Sequence, residues 1–391
     1  MAKVGYRIVD ADSHVFEPAE VWDRYVESEY RALARTAFYF RTDEEGLSTA
    51  ILNGRAARLP GSSRLNRWAI WRPGMTADEI GALDPSIYHP INPAASDAAA
   101  KLRDMDAMGI EKAIIFPTLF AEYFPVVDNP ELARVLSRAY NDWLYDWCGE
   151  DRNRLYPIAV LPMQDVSYAL AELRRAASRG FKGCFIRPAF IHESDFPTHL
   201  KYRPLWEELE RNGLVACLHP SAGHTNPEWT SLGAFVERVA ANLEIGHNVA
   251  EAVACDGDNA IALTALLFCG HLEDYPRLKV AFIHGGAPLL YLALEKCETY
   301  LTHYSFDGIT LKSEEVFSSS AAAVTFYSWE ASTVARNSVL RAKCCWGSRH
   351  PHHDAATPEE GADALRAAGA DESTIAQLMG INAMRLYGIE Q

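Results

Sequence analysis

Four short stretches of this 391-residue chain place acid, imidazole or guanidinium groups directly after apolar runs. The first is Asp10-Ala11-Asp12-Ser13-His14, in "VDADSH". The second is His219-Pro220, closing "LVACLHP", and the third is His284-Gly285-Gly286, closing "LKVAFIHGG". The fourth is "CCWGSRHPHHD", in which Arg349, His350, His352, His353 and Asp354 follow Trp346-Gly347-Ser348. Carboxylate and imidazole groups supplied from separate segments are the parts of a catalytic divalent-metal site, where three protein ligands leave one position for water. Asp12 and His14 are two residues apart, so an extended strand puts them on one side. A lone histidine at such a position is more often a satisfied core or surface group. Four such positions in a chain with 13 histidines make coincidence a weak account. Arg349 is the odd member, because a permanent cation cannot bind a metal.

These groups need elements that bring them together. Apolar runs at 6–12, 112–118, 155–162, 182–188, 214–220, 278–285, 323–329 and 342–348 read as eight strands. They are continuous rather than alternating, as parallel strands covered on both faces are. Amphipathic stretches fall between them. "SDAAAKLRDMDAMG" starts on a serine cap and stops at Gly109, and "NPELARVLSRAYNDWLYDWCG" has Pro130 in its first turn. Eight strand–helix alternations argue for an α/β fold of the (β/α)8 TIM-barrel type, in one domain spanning 1–391. A doubly wound sheet is the rival, weakened because no G-x-G-x-x-G follows the first strand. In a barrel the C-terminal strand ends share one mouth, which is where the four stretches lie.

Two segments break the alternation, about 27–95 after the first strand and 222–258 after the fifth. Insertions of this kind either sit over the mouth, or pack on the barrel and mediate dimer contacts. Their aromatics, Phe38, Tyr39, Phe40, Trp68, Trp71 and Trp229, either roof a large apolar pocket or form the insertions' own core. His224, His247 and His271 lie in loop or helix contexts and read as ordinary. Glu17, in "HVFEP", is either an acceptor behind a ligand histidine or a helix-start glutamate.

The composition bounds the partners. The chain is 49% hydrophobic with a formal net charge of −15, and no Lys/Arg run stands out, so neither nucleic acid nor an anionic membrane is expected. No apolar stretch approaches the ~20 residues of a membrane span, and "MAKVGYRIVDADSH" has no signal-peptide pattern. The eight cysteines are scattered without C-x-x-C and read as buried thiols of a cytoplasmic protein.

At this point the chain resembles the amidohydrolase superfamily, in the branch called amidohydrolase family 2, related to aminocarboxymuconate-semialdehyde decarboxylase. "VDADSHVFEP", "KLRDMDAMGIEKAIIFPT", "GCFIRP", "PLWEELERNGLVACLHP", "LEDYPRLKVAFIHGG", "WGSRHPHHD" and "NAMRLYG" occur in that family's order, over roughly residues 6–388. The resemblance implies a (β/α)8 barrel, a homodimer, and one divalent metal, zinc first with manganese or iron as alternatives. By motif position it implies Asp12, His14 and His219 as ligands and His284 as a catalytic base. The family's strand-eight aspartate, in G-S-D-x-P-H, falls on Arg349, because this chain has G-S-R-H-P-H.

That departure leaves three outcomes open. Asp12, His14 and His219 hold the metal alone; or His350 or His352 swings in as a replacement ligand; or the metal is lost and Arg349 sits against Asp12. Asp354, like Glu17, is expected to stand behind the ligands rather than among them. Arginine is a poor proton donor, so decarboxylation loses ground. The expectation is therefore a metal-dependent hydrolase of an ester, acyl-CoA-type thioester or amide of a mostly apolar small acid, of specialised metabolism, with His284 activating water and Arg349 steadying an oxyanion. The alternatives are a decarboxylase or hydratase of an aromatic or unsaturated acid, and a metal-free ligand-binding barrel.

Overall fold

In the computed structural model, residues 5–42, 48–58, 65–191, 195–220, 254–304 and 312–390 are described. Strands are numbered in chain order. The main sheet is built from β1 (Val9–His14), β5 (Lys112–Phe116), β6 (Leu155–Val160), β7 (Gly183–Ile186), β8 (Val215–Leu218), β9 (Lys279–Phe282), β10 (Ala321–Phe326) and β11 (Cys344–Trp346). Each pairs in parallel with its neighbour in that order. All eight expected strands are present, most of them shorter than their apolar runs. The last strand and the first meet at a seam, where Arg349 N donates to Asp12 O at 2.8 Å and His14 N donates to His350 O at 2.9 Å. The Asp10 carboxylate reinforces that seam, accepting from Ser348 N at 2.8 Å and Ser348 Oγ at 2.5 Å. The result is a nearly closed (β/α)8 barrel.

The strands are buried because both faces are covered: the side chains of Val9–His14 and of Lys112–Phe116 are buried throughout. The outer layer is set by helix stop and start signals. Asp97, rather than Ser96, caps the helix Ala98–Met108 by accepting from Ala100 N, and Gly109 ends it with φ 75. Asn129 caps Pro130–Trp147, whose first residue is the proline. The barrel wall and its helices share one apolar core, and a smaller cluster of Leu65, Ile70, Trp71 and Ile80 sits apart from it.

The first insertion carries a sheet of its own. β2 (Phe38–Thr42), β3 (Ser48–Leu52) and β4 (Arg55–Arg58) form a separate antiparallel sheet. Phe38 packs edge-on against Trp22 and Phe120, with centroids at 4.8 and 5.3 Å, so this aromatic is core. Trp71 is also buried. Most of the second insertion, with His224, Trp229 and His247, lies outside the described residues, as does the Phe40 side chain. Of the eight cysteines, Cys269 is exposed and the other seven are buried, which corrects the expectation that all are buried. Among the described residues, no helix is long and apolar enough to cross a membrane.

Candidate active site

Asp12 and His14 end β1, and His219 directly follows β8. All three are buried, and one ligand atom from each lies within 4.8 Å of the others. Asp12 Oδ1 is 3.1 Å from His14 Nε2 and 3.7 Å from His219 Nε2, and the two imidazole nitrogens are 3.4 Å apart.

The ring orientations decide what these atoms are. His14 Nδ1 lies 2.9 Å from Pro117 O, and His219 Nδ1 lies 2.6 Å from Pro220 O. A carbonyl only accepts, so each Nδ1 carries the proton and each Nε2 presents a lone pair. Burial pushes His219 down to about 4, so it stays neutral at ordinary pH. Asp12 lies fully buried beside the two imidazoles. Among the described residues, its buried Oδ1 has no hydrogen-bond partner. Three electron-pair donors thus face one another, an arrangement that costs free energy unless a cation lies between them. The residues fit one divalent ion with three protein ligands and an open position.

Further groups hold this triad. Glu17 accepts from Thr118 N and Leu119 N, both at 2.9 Å, and so fixes the turn whose Pro117 carbonyl orients His14. It acts one step behind the histidine, through backbone, and burial pushes its carboxyl up to about 7. Tyr327, just after β10, donates from its hydroxyl to Asp12 Oδ2 at 2.6 Å. Burial and the neighbouring Asp12 charge keep that phenol well above its usual range, so it remains a donor.

Arg349 projects into the same mouth but to one side of the triad. Its Nη1 donates to His284 Nε2 at 2.5 Å, its Nε donates to Asp354 Oδ1 at 3.0 Å, and its guanidinium carbon sits 5.7 Å from the Tyr327 ring centre. His284 lies next to the triad, its ring 5.7 Å from that of His219. The lone pair that a general base needs is occupied by the arginine.

The two candidate replacement ligands separate. His352 stacks on His14 with ring centres 4.1 Å apart, at the rim of the triad, and its Nε2 is 3.2 Å from Thr118 Oγ1. His350 is turned away, which corrects its reading as a possible ligand: its Nδ1 meets Lys101 Nζ at 2.8 Å and its Nε2 meets Asp104 Oδ2 at 2.9 Å. Lys101, fully buried, also donates to Ser13 Oγ at 3.0 Å and to His350 O at 3.0 Å. Burial lowers its ammonium to about 7. Trp71 packs edge-on against His350 at 5.7 Å, behind this turn.

Tyr327, Lys101 and Asp104 escaped the sequence reading. Tyr327 carried the same signal as the histidines, a polar group at a strand end. Lys101 and Asp104 lie on a helix in "AAAKLRDMDAM", where a charged pair three apart looks like a solvated face.

A family model described as amidohydrolase matches residues 87–389. Gamma-resorcylate decarboxylase of Rhizobium sp. (strain MTP-10005) is 29% identical over 211 residues, covering 49% of this chain and 56% of the relative. The chain thus spans about half the length of the curated relatives it matches. Among solved structures, an amidohydrolase from Mycobacterium avium subsp. paratuberculosis K-10 has a TM-score of 0.77 at 21% identity, over 98% of both chains. A dihydroxybenzoic acid decarboxylase from Polaromonas sp. JS666, with bound manganese and 2-nitroresorcinol, has a TM-score of 0.65 at 16% identity, over 99% of this chain and 98% of the other. These two structural likenesses show the fold.

The relatives overturn the expectation of an acyl-bond hydrolase, since those that match in sequence are decarboxylases of aromatic or unsaturated acids. Zinc and a thioesterase reading lose their support with it. Because the family model spans residues 87–389, well over half of the sequence, the chain belongs to the amidohydrolase family.

Proposed function

We propose that the protein catalyses non-oxidative decarboxylation of an aromatic or unsaturated carboxylic acid, at one divalent ion held by Asp12, His14 and His219. The observation that carries this reading is the convergence of three lone-pair donors at the barrel mouth, in a chain whose sequence relatives are decarboxylases. When bound, the ion supplies Lewis acidity toward a substrate oxygen. Manganese is the first ion to test, and imidazole and carboxylate ligands also suit zinc and iron.

Arg349 binds an anionic oxygen of the substrate, a task suited to its planar fork of donors. In the resting site its Nη1 proton caps His284 Nε2. A substrate carboxylate draws the guanidinium away and releases that nitrogen. His284 then takes a proton from solvent and passes it to the ring carbon. The carbon–carbon bond to the carboxyl group breaks, its electron pair stays with the carbon skeleton, and carbon dioxide leaves. No oxidant or reductant is needed.

The test is a panel of hydroxybenzoates and unsaturated acids incubated in D2O with the full chain loaded with Mn2+ or Zn2+. Carbon dioxide release with one deuteron at the vacated carbon supports the reading. Tight binding of these acids without carbon dioxide release sinks it. That result would favour a second reading, a ligand-binding barrel, which one observation supports: a permanent cation stands at the strand-eight position.

A further inference from the structure

The Asp12 carboxylate has two oxygens with different fates. Oδ1 faces His14 and His219. Oδ2 accepts from the Tyr327 hydroxyl at 2.6 Å. Arg349 also lies beside the Tyr327 ring, with its guanidinium carbon 5.7 Å from the ring centre. Arg349 is tied to Asp12 through backbone, N to O at 2.8 Å, so cation and carboxylate stem from adjoining points of the seam. A guanidinium turned from His284 and Asp354 to the Asp12 carboxylate would form a charge-assisted pair, and that pair would compete with a metal for the same oxygens.

The ring itself has little freedom. Gly285, with φ 76, lies where a Cβ would meet Tyr327 Cε2 at 2.7 Å and Cδ2 at 2.8 Å. Gly347 lies where a Cβ would meet Asp12 Cβ at 2.7 Å and Tyr327 Cε1 at 3.5 Å. Two glycines from separate strand ends thus leave a slot that the ring fills, and its hydroxyl is aimed at one carboxylate oxygen.

From this we infer that Tyr327 is a positioning residue that keeps Asp12 available to a metal by occupying Oδ2 and holding the carboxylate apart from Arg349. It turns a site with a built-in competing cation into one where Oδ1 still points at the two histidines. The inference rests on the metal-site reading above.

The experiment measures Mn2+ affinity by chelator competition for the full-length protein, Tyr327→Phe, Arg349→Met and the double variant, with thermal melting of each to confirm folding. Tyr327→Phe removes the hydroxyl and keeps the ring in its slot. It is expected to weaken Mn2+ binding by about tenfold to a hundredfold, the usual cost of losing a partner behind a ligand. In the Arg349→Met background the same substitution is expected to cost less than about threefold, because the competing cation is gone. An unchanged affinity in Tyr327→Phe overturns the role outright. An equal loss in both backgrounds overturns the separation from Arg349. Absence of Mn2+ binding by the unsubstituted protein overturns the metal site and, with it, this role.

Discussion

Arg349 and His284 meet across the barrel mouth, Nη1 to Nε2 at 2.5 Å, and both have backbone in the left-handed region, with φ of 59 and 83. Such a conformation costs of order 1–3 kcal/mol for a residue with a side chain. Two strained residues on different strand ends, each aimed at the other, are a pattern of functional sites rather than of plain barrel walls. The strained backbone aims the two side chains at each other beside the triad.

Arg349→Met tests what the guanidinium does. The variant keeps the length of the side chain and loses its charge-assisted bonds, each worth about 1.5–3 kcal/mol. The KM for the acid substrate should rise by about tenfold to a hundredfold. The folded state should lose about 1–3 kcal/mol, because one partner left behind, Asp354, is 30% exposed and can be hydrated, while the other, His284, is buried. Steady-state kinetics and thermal melting check the two halves separately. A KM that does not move would remove Arg349 from substrate binding.

His219 and His350 should behave oppositely, although both are buried histidines after strands. His219→Ala removes a lone pair from the triad and should abolish retention of Mn2+ through dialysis, read by elemental analysis. His350→Ala should leave metal content unchanged, because both its ring nitrogens are spent on Lys101 and Asp104. It should instead lower stability by roughly 1–3 kcal/mol, by leaving those buried polar groups short of partners. Metal loss in His350→Ala would contradict this division.

Two buried charges should give opposite slopes of stability with pH. Burial holds the Lys101 ammonium down at about 7 against 10.5 for a free lysine. Between those values the unfolded chain binds the proton and the folded one does not, so stability rises with pH across that window. Burial pushes Glu17 up to about 7 from 4.5. Between 4.5 and 7 the folded chain holds the extra proton, so stability falls as pH rises there. Denaturant titrations of Lys101→Met and Glu17→Gln, each against the unsubstituted protein over its own window, should show the corresponding slope removed. A slope that survives its substitution would assign it to another group.

The sequence by itself determined the barrel and the residues that meet at its mouth. Continuous apolar runs and capped helices are local signals, and a closed ring of parallel strands puts every strand end on one rim, whatever its distance along the chain. Asp12, His14, His219, His284 and Arg349 were therefore legible as neighbours. Only the tertiary structure decided how they are used. Whether His350 faces the triad or Lys101, whether Arg349 caps His284, and which phenol takes the second oxygen of Asp12 depend on side-chain directions set by contacts between distant segments. Lys101 and His350 are 249 positions apart, and Tyr327 and Asp12 are 315. No local periodicity encodes such pairs, because each is fixed by packing the whole ring rather than by any one strand.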